Sequence, residues 1–177
     1  AARNLASVMH HARTLALSVG LVVLGVLCGA CSPANFAGDY AIGLTNGPND
    51  CAFTTWNAGD MTSGVMATIT QATGGGDATL TVNGLAGGYL TLVNGGNMLT
   101  GSISGTSGHF SRAGTVALSA PAGCSGFLNV DVDAHLSGDT LTGTVTYTPA
   151  TNHAASCGAL ETCKNVQNFN GARPPTM

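Results

Sequence analysis

Asp131, Asp133 and His135 are spaced two residues apart, which on a strand would put all three side chains on one face, about 7 Å from one to the next. Two carboxylates and an imidazole so arranged could bind zinc or another divalent ion if a neighbouring element supplied a fourth ligand. An ordinary solvent-facing strand explains the same spacing and is the favoured reading. The oxygen-rich run Asn46-Gly47-Pro48-Asn49-Asp50 could hold calcium, but it has one carboxylate and no EF-hand spacing, so it reads as a turn. His109 and His153 are available for a hydrolytic triad among plentiful serines, yet no Gly-x-Ser-x-Gly elbow accompanies them. Glu161 is the only glutamate, so a glycosidase pair would have to draw on strand aspartates. A phosphate loop and a dinucleotide fingerprint are also lacking. Neither enzymatic activity nor a cofactor is expected.

Trp56, the sole tryptophan, follows Cys51-Ala52-Phe53-Thr54-Thr55. It belongs either to the core or to a stapled lid, where it could stack on a ligand at a barrel mouth. In an exported domain Cys51, Cys124, Cys157 and Cys163 read as two disulfides, with metal ligation the rival that the absence of a Cys-x-x-Cys pair disfavours. Three pairings are open. Cys157 with Cys163 closes a small local loop and leaves Cys51 with Cys124 as the long-range bridge, and this pairing is favoured.

The N-terminal segment gives the address. Arg3, His10, His11 and Arg13 form a basic opening without an acid, and an apolar stretch runs from Leu15 to Leu27. Small residues follow in Cys28-Gly29-Ala30-Cys31-Ser32-Pro33. This order is that of a secretory signal. Residues 1–30 are therefore expected to be a helical signal peptide, with Met9 as the natural start. Its end resembles the lipobox of bacterial lipoproteins. Gly29 and Ala30 match the two small residues and Cys31 the lipid acceptor, while Cys28 stands where leucine is usual. The resemblance implies lipidation at Cys31, a tether over residues 31–35, and several acyl chains, since one chain binds only marginally. A transmembrane anchor is the rival, but the stretch is short against the roughly 20 residues of a spanning helix. Simple cleavage and secretion is the other alternative. Ser32 after the acceptor implies the outer membrane, as in lipoproteins of this kind.

Beyond Cys31 lie all eight acids but only Arg112, Lys164 and Arg173 as bases. That balance excludes nucleic acid as a partner, which would require clustered Lys and Arg. Charged residues are 7% of the chain, against roughly 25% in ordinary domains, so polarity comes from Thr, Ser, Asn and Gly, which favour strands and turns. Period-two alternation runs throughout. Tyr40, Ile42 and Leu44 share one face of a first strand, Val65, Ala67 and Ile69 one face of a second, and Leu128, Val130 and Val132 one face of a later one. Val116 and Leu118 read as a further strand, and no segment shows a helical period. Glycine-rich turns separate the runs. The prediction is a single all-β domain over residues 36–177, an antiparallel up-and-down meander closing into a small barrel, with a β-sandwich as the alternative. Leu99-Thr100-Gly101-Ser102-Ile103 is echoed by Leu141-Thr142-Gly143-Thr144-Val145. The inward glycines predict barrel curvature, with space for a ligand as the second reading.

Phe36-Ala37-Gly38-Asp39-Tyr40 resembles the Gly-x-Trp opening of barrels of the lipocalin and avidin kind, the calycin group, with Tyr40 in the place of Trp. Those families pack an Arg near the last strand across that aromatic, and Arg173 in Phe169-Asn170-Gly171-Ala172-Arg173 matches it. The resemblance implies the barrel fold more than a function. Tyr40 and Arg173, together with Trp56 from its own position, are the candidate ligand contacts. The layout also resembles small lipoproteins of myxobacterial type, in its early Cys, its Thr-rich meander and its Cys157-to-Pro175 ending. The expected function is a lipid-anchored cell-envelope protein that binds a small molecule or an envelope protein. A structural or accessory envelope component is the alternative, and a metal-dependent enzyme built on Asp131, Asp133 and His135 is the third reading.

Overall fold

The computed structural model describes residues 33–174. The signal segment and Cys31 lie outside the described residues. Alternating sequence becomes eight strands: β1 (Gly38–Asn46), β2 (Met61–Gln71), β3 (Asp77–Val82), β4 (Met98–Ser104), β5 (Ser107–Arg112), β6 (Gly126–Ser137), β7 (Thr140–Thr151) and β8 (Asn165–Ala172). Each pairs antiparallel with the next, and β8 pairs back onto β1 from Ala41↔Ala172 to Asn46↔Gln167, so the barrel closes without an edge. The fold is the expected up-and-down barrel rather than a sandwich. Side chains alternate accordingly. Ile42, Ile69, Leu80, Leu99, Val130 and Leu141 are buried inside, and each contributes roughly 1.5–3 kcal/mol by leaving water.

Some local expectations fail. Val116 and Leu118 are not a strand; they lie in the β5–β6 connection, where only Ala117↔Phe127 forms a bridge. A helix not anticipated from periodicity, α1 (Gly84–Asn94), connects β3 to β4. Gly84, Gly87 and Gly88 and the lack of a side-chain N-cap make its own sequence a weak helix former, and Leu85, Tyr89 and Leu92 face solvent. Tertiary contact holds it: Asn83 ahead of it bonds Thr68, Asn97 behind it bonds the Val82 carbonyl, and Leu90 is buried against the core.

The disulfides also differ from the favoured pairing. Cys51 bonds Cys163 and Cys124 bonds Cys157, with Cα atoms 5.0 and 4.9 Å apart. Strand neighbourhood explains both. Cys51 follows β1 and Cys163 precedes β8, which pair to close the barrel. Cys124 precedes β6 and Cys157 follows β7, which pair along their whole length. The local loop between Cys157 and Cys163 is instead taken up by a 3-10 turn, Ala155–Glu161.

The two ends of the barrel are unlike. Short turns at residues 72–76, 105–106 and 138–139 sit at one end, and the long connections 47–60, 83–97, 113–125 and 152–164 at the other. The short-turn end is plugged. Ala34 N–H donates to the Gly105 carbonyl at 2.7 Å and Phe36 N–H to Gln71 Oε1 at 2.9 Å, while Phe36, Tyr40 and Phe110 are wholly buried. The Tyr40 hydroxyl donates to the Phe36 carbonyl at 2.8 Å and accepts from Arg173 Nε at 2.9 Å. The Arg173 guanidinium lies 5.4 Å from the centre of the Tyr40 ring, and it also donates to the Asn35 carbonyl and to Asp139. Burial raises the pKa of the Tyr40 phenol, and the hydrogen bond from Arg173 partly opposes that rise.

Curvature accounts for the inward glycines. A Cβ at Gly101 would stand 1.9 Å from the His109 carbonyl oxygen, and one at Gly143 1.9 Å from that of Asp133. Both allow adjacent strands to bend together, and neither borders the cavity described below.

Arg173→Ala removes the guanidinium that joins Tyr40, Asn35 and Asp139. A loss of about 2 kcal/mol of stability is expected in urea denaturation. An unchanged midpoint would show that the plug holds without it.

Candidate functional site

A cavity of about 1250 Å³ enters the barrel from the end with the long connections. Most small-molecule sites enclose roughly 300–1,000 Å³, so there is room for a sizeable guest. Its walls are the inward side chains of the strands, Val65, Leu80, Leu99 and Val130 among them, and its mouth is framed by Phe53, Trp56, Tyr89 and Tyr147. The aromatic frame is ordered by polar contacts. The Trp56 ring meets Tyr147 edge-on with centroids 5.7 Å apart, and Trp56 Nε1–H donates to the Gly47 carbonyl at 2.9 Å. The Tyr147 hydroxyl donates to Gln167 Oε1 at 2.8 Å, and Gln167 Nε2 donates to Asn46 Oδ1 at 2.7 Å. Burial pushes the Tyr147 phenol far above its ordinary pKa, with nearby Tyr89 a smaller contributor. Tyr147 is half-buried and lines the cavity.

Residues 47–60 lie over this mouth as a tied-down loop. Asn49 Nδ2 donates to the carbonyls of Phe53 at 2.8 Å and Trp56 at 3.0 Å, and Asn49 Oδ1 accepts from Phe53 N–H and from Asn165 Nδ2. Asn165 is wholly buried, and its Oδ1 accepts the Cys51 N–H at 2.9 Å. The Cys51–Cys163 bond fastens the same point covalently. The oxygen-rich run Asn46 to Asp50 is therefore a turn whose polar groups serve the loop itself.

Of the sequence candidates, Trp56 lines the cavity. Tyr40 and Arg173 do not: they form the plug at the opposite end, because the Gly-x-Tyr opening and the Arg after β8 belong to the short-turn side of the barrel. Asp131, Asp133 and His135 lie in a row on the outer face of β6. Asp133 pairs across the strands with His109 Nδ1 at 2.9 Å, and both side chains are more than half exposed, so the pair contributes little. Among the described residues no three His, Cys, Asp or Glu side chains converge as a metal site would need. On the rim, Glu161 is held below the usual carboxylate range by hydrogen bonds from Thr151 and His153.

Asn49, Asn165, Gln167 and Tyr89 were not legible as site residues. The last strand carries Asn165, Gln167, Phe169 and Gly171 inward, so its alternation is mostly polar and gives no hydrophobic signal. No protein-family profile, curated protein or solved structure matches the chain.

Replacing Cys51 and Cys163 together by Ala is expected to lower stability by about 3–5 kcal/mol, because the bridge closes a loop of 112 residues. It should also open residues 47–60 to limited proteolysis. A protected loop in that variant would mean that Asn49 and Asn165 suffice.

The tyrosines give a pH test. Tyr40 and Tyr147, two of the three in the chain, have raised folded-state pKa values, so both hold their protons where an unfolded tyrosine has lost its own. Their contribution to stability is complete below about pH 10 and is lost as pH climbs through the folded values. Ultraviolet difference titration should show two phenols ionising late. Ionisation of Tyr40 and Tyr147 near the ordinary phenol pKa of about 10 would contradict the burial of this pair.

Proposed function

We propose that this protein is a lipid-anchored binding protein of the bacterial cell envelope whose barrel carries one small, mainly apolar molecule. The observation that carries the reading is the cavity, apolar along its walls and aromatic at its mouth. The ends of the barrel divide the work in a way that supports it: stabilising contacts crowd the plugged end, and the long loops surround the opening. The layout, with Tyr40 and Arg173 joined across the plug, resembles that of the lipocalin and avidin kind, and this likeness supports the reading. The signal-like segment ending at Cys31 supports attachment through lipid, most simply in the outer membrane, as in lipoproteins of myxobacterial type.

A second reading, an accessory envelope component that docks to another protein, draws on one specific observation. Leu85 and Leu92 of α1 are 97% and 71% exposed, which is unusual for a helix at the surface of a single barrel.

Intact mass spectrometry of the protein taken from its native envelope addresses both anchor and cargo. The expected mass begins at Cys31 with acyl chains, gains four hydrogens on reduction of two disulfides, and is accompanied by a co-purifying small molecule. An unacylated chain would remove the lipoprotein reading. An empty barrel that also fails to take up an apolar fluorescent probe, followed by quenching of Trp56, would remove the binding reading in favour of the accessory one.

A further inference from the structure

The charge pattern of the cavity restricts what it can hold. Among the described residues lining it, none is Lys, Arg or His, and Asp60 at the exposed rim is the only acid. The basic side chains of the barrel are placed elsewhere. Arg173 is in the plug, Lys164 is exposed and borders no part of the cavity, and Arg112 donates to the carbonyls of Gly95 and Met98. A carboxylate or phosphate held beside the Tyr147 hydroxyl, where burial already desolvates the phenol, would lose part of its hydration and meet no cation, a penalty that the apolar contacts of its chain would have to offset. An uncharged head meets no such penalty.

Among the polar side chains that line it, Tyr147 and Gln167 are joined to each other and have a defined remaining capacity. The Tyr147 hydroxyl spends its hydrogen on Gln167, which leaves the lone pairs of its oxygen free to accept. Gln167 spends one Nε2 hydrogen on Asn46, which leaves the other free to donate. Tyr147 and Gln167 both line the cavity. One acceptor beside one donor is the complement of an alcohol, which donates through its O–H and accepts at its oxygen.

We infer that the cavity selects an uncharged amphiphile, a long apolar body ending in a hydroxyl group, and rejects the anionic amphiphile of the same length. Tyr147 and Gln167 hold the hydroxyl, and the strand side chains below them hold the chain. The inference rests on the binding reading above and names its ligand class.

The test compares tetradecanol with myristate, which differ only in the head, by displacement of an apolar fluorescent probe from the full chain at about pH 8, where the carboxylate is ionised. The alcohol is expected to bind on the order of 100-fold more tightly. The gap should narrow as the pH falls toward about 4 and the carboxylate takes up a proton. Gln167→Leu and Tyr147→Phe should each lower the preference for the alcohol over the unsubstituted hydrocarbon, tetradecane, measured on the same variant. Myristate binding as tightly as the alcohol would overturn the inference and leave the binding reading intact. Failure of all three compounds to displace the probe would overturn both. The ligand comparison on the unaltered chain does not depend on either variant folding.

Discussion

The pairing of β8 with β1 is the contact on which the rest of the molecule depends. It joins residues near the two ends of the described chain, and it carries a heavy entropic penalty because the loop it closes is almost the whole barrel. Each ladder hydrogen bond returns only about 0.5–1.5 kcal/mol, so closure needs support beyond the backbone. That support is distributed along the seam. Arg173 meets Tyr40 at one end of it, Gln167 meets Asn46 at the other, and beyond that Asn165 meets Asn49 and Cys163 meets Cys51.

The two ends of the same seam differ in packing. At the plugged end the interior is filled by Phe36, Tyr40 and Phe110, and the short turns leave no opening. At the mouth the interior is left unfilled, and the side chains around the cavity forgo contacts that a packed core would have supplied. Both disulfides lie on the mouth side, where they restrain the long connections that the missing core cannot. The low charge of the chain suits this arrangement, because an unfilled apolar space tolerates hydroxyls and amides that find partners and tolerates lone charges poorly.

Helix α1 illustrates the other constraint at the mouth. It spans from β3 to β4 across the opening, buries Leu90, and leaves Leu85, Tyr89 and Leu92 outward. Leu85 and Tyr89 also border the cavity, so the apolar surface is continuous from inside to rim.

Sequence alone determined the class of the fold, because alternation with period two leaves a strand only one way to bury its apolar face, and a meander of such strands must dispose of its edges. It determined which side chains of β1, β2, β3, β4, β6 and β7 point inward, and the uncharged character of the interior follows from a chain so poor in Lys and Arg. It did not determine α1, whose apolar residues fall on the exposed as well as the buried side, or β8, whose inward residues are mostly polar. Nor did it determine the partners of the cysteines. Nearness along the chain favoured Cys157 with Cys163, whereas nearness in space is set by which strands adjoin, and that is known only once the barrel has closed. The site was decided in the same way. Tyr40 and Arg173, matched by motif, fell to the plug because their strand ends lie on the short-turn side. Tyr147, Gln167 and Asn49, unremarkable by motif, came to the mouth because closure brings the ends of β1, β7 and β8 together around one opening.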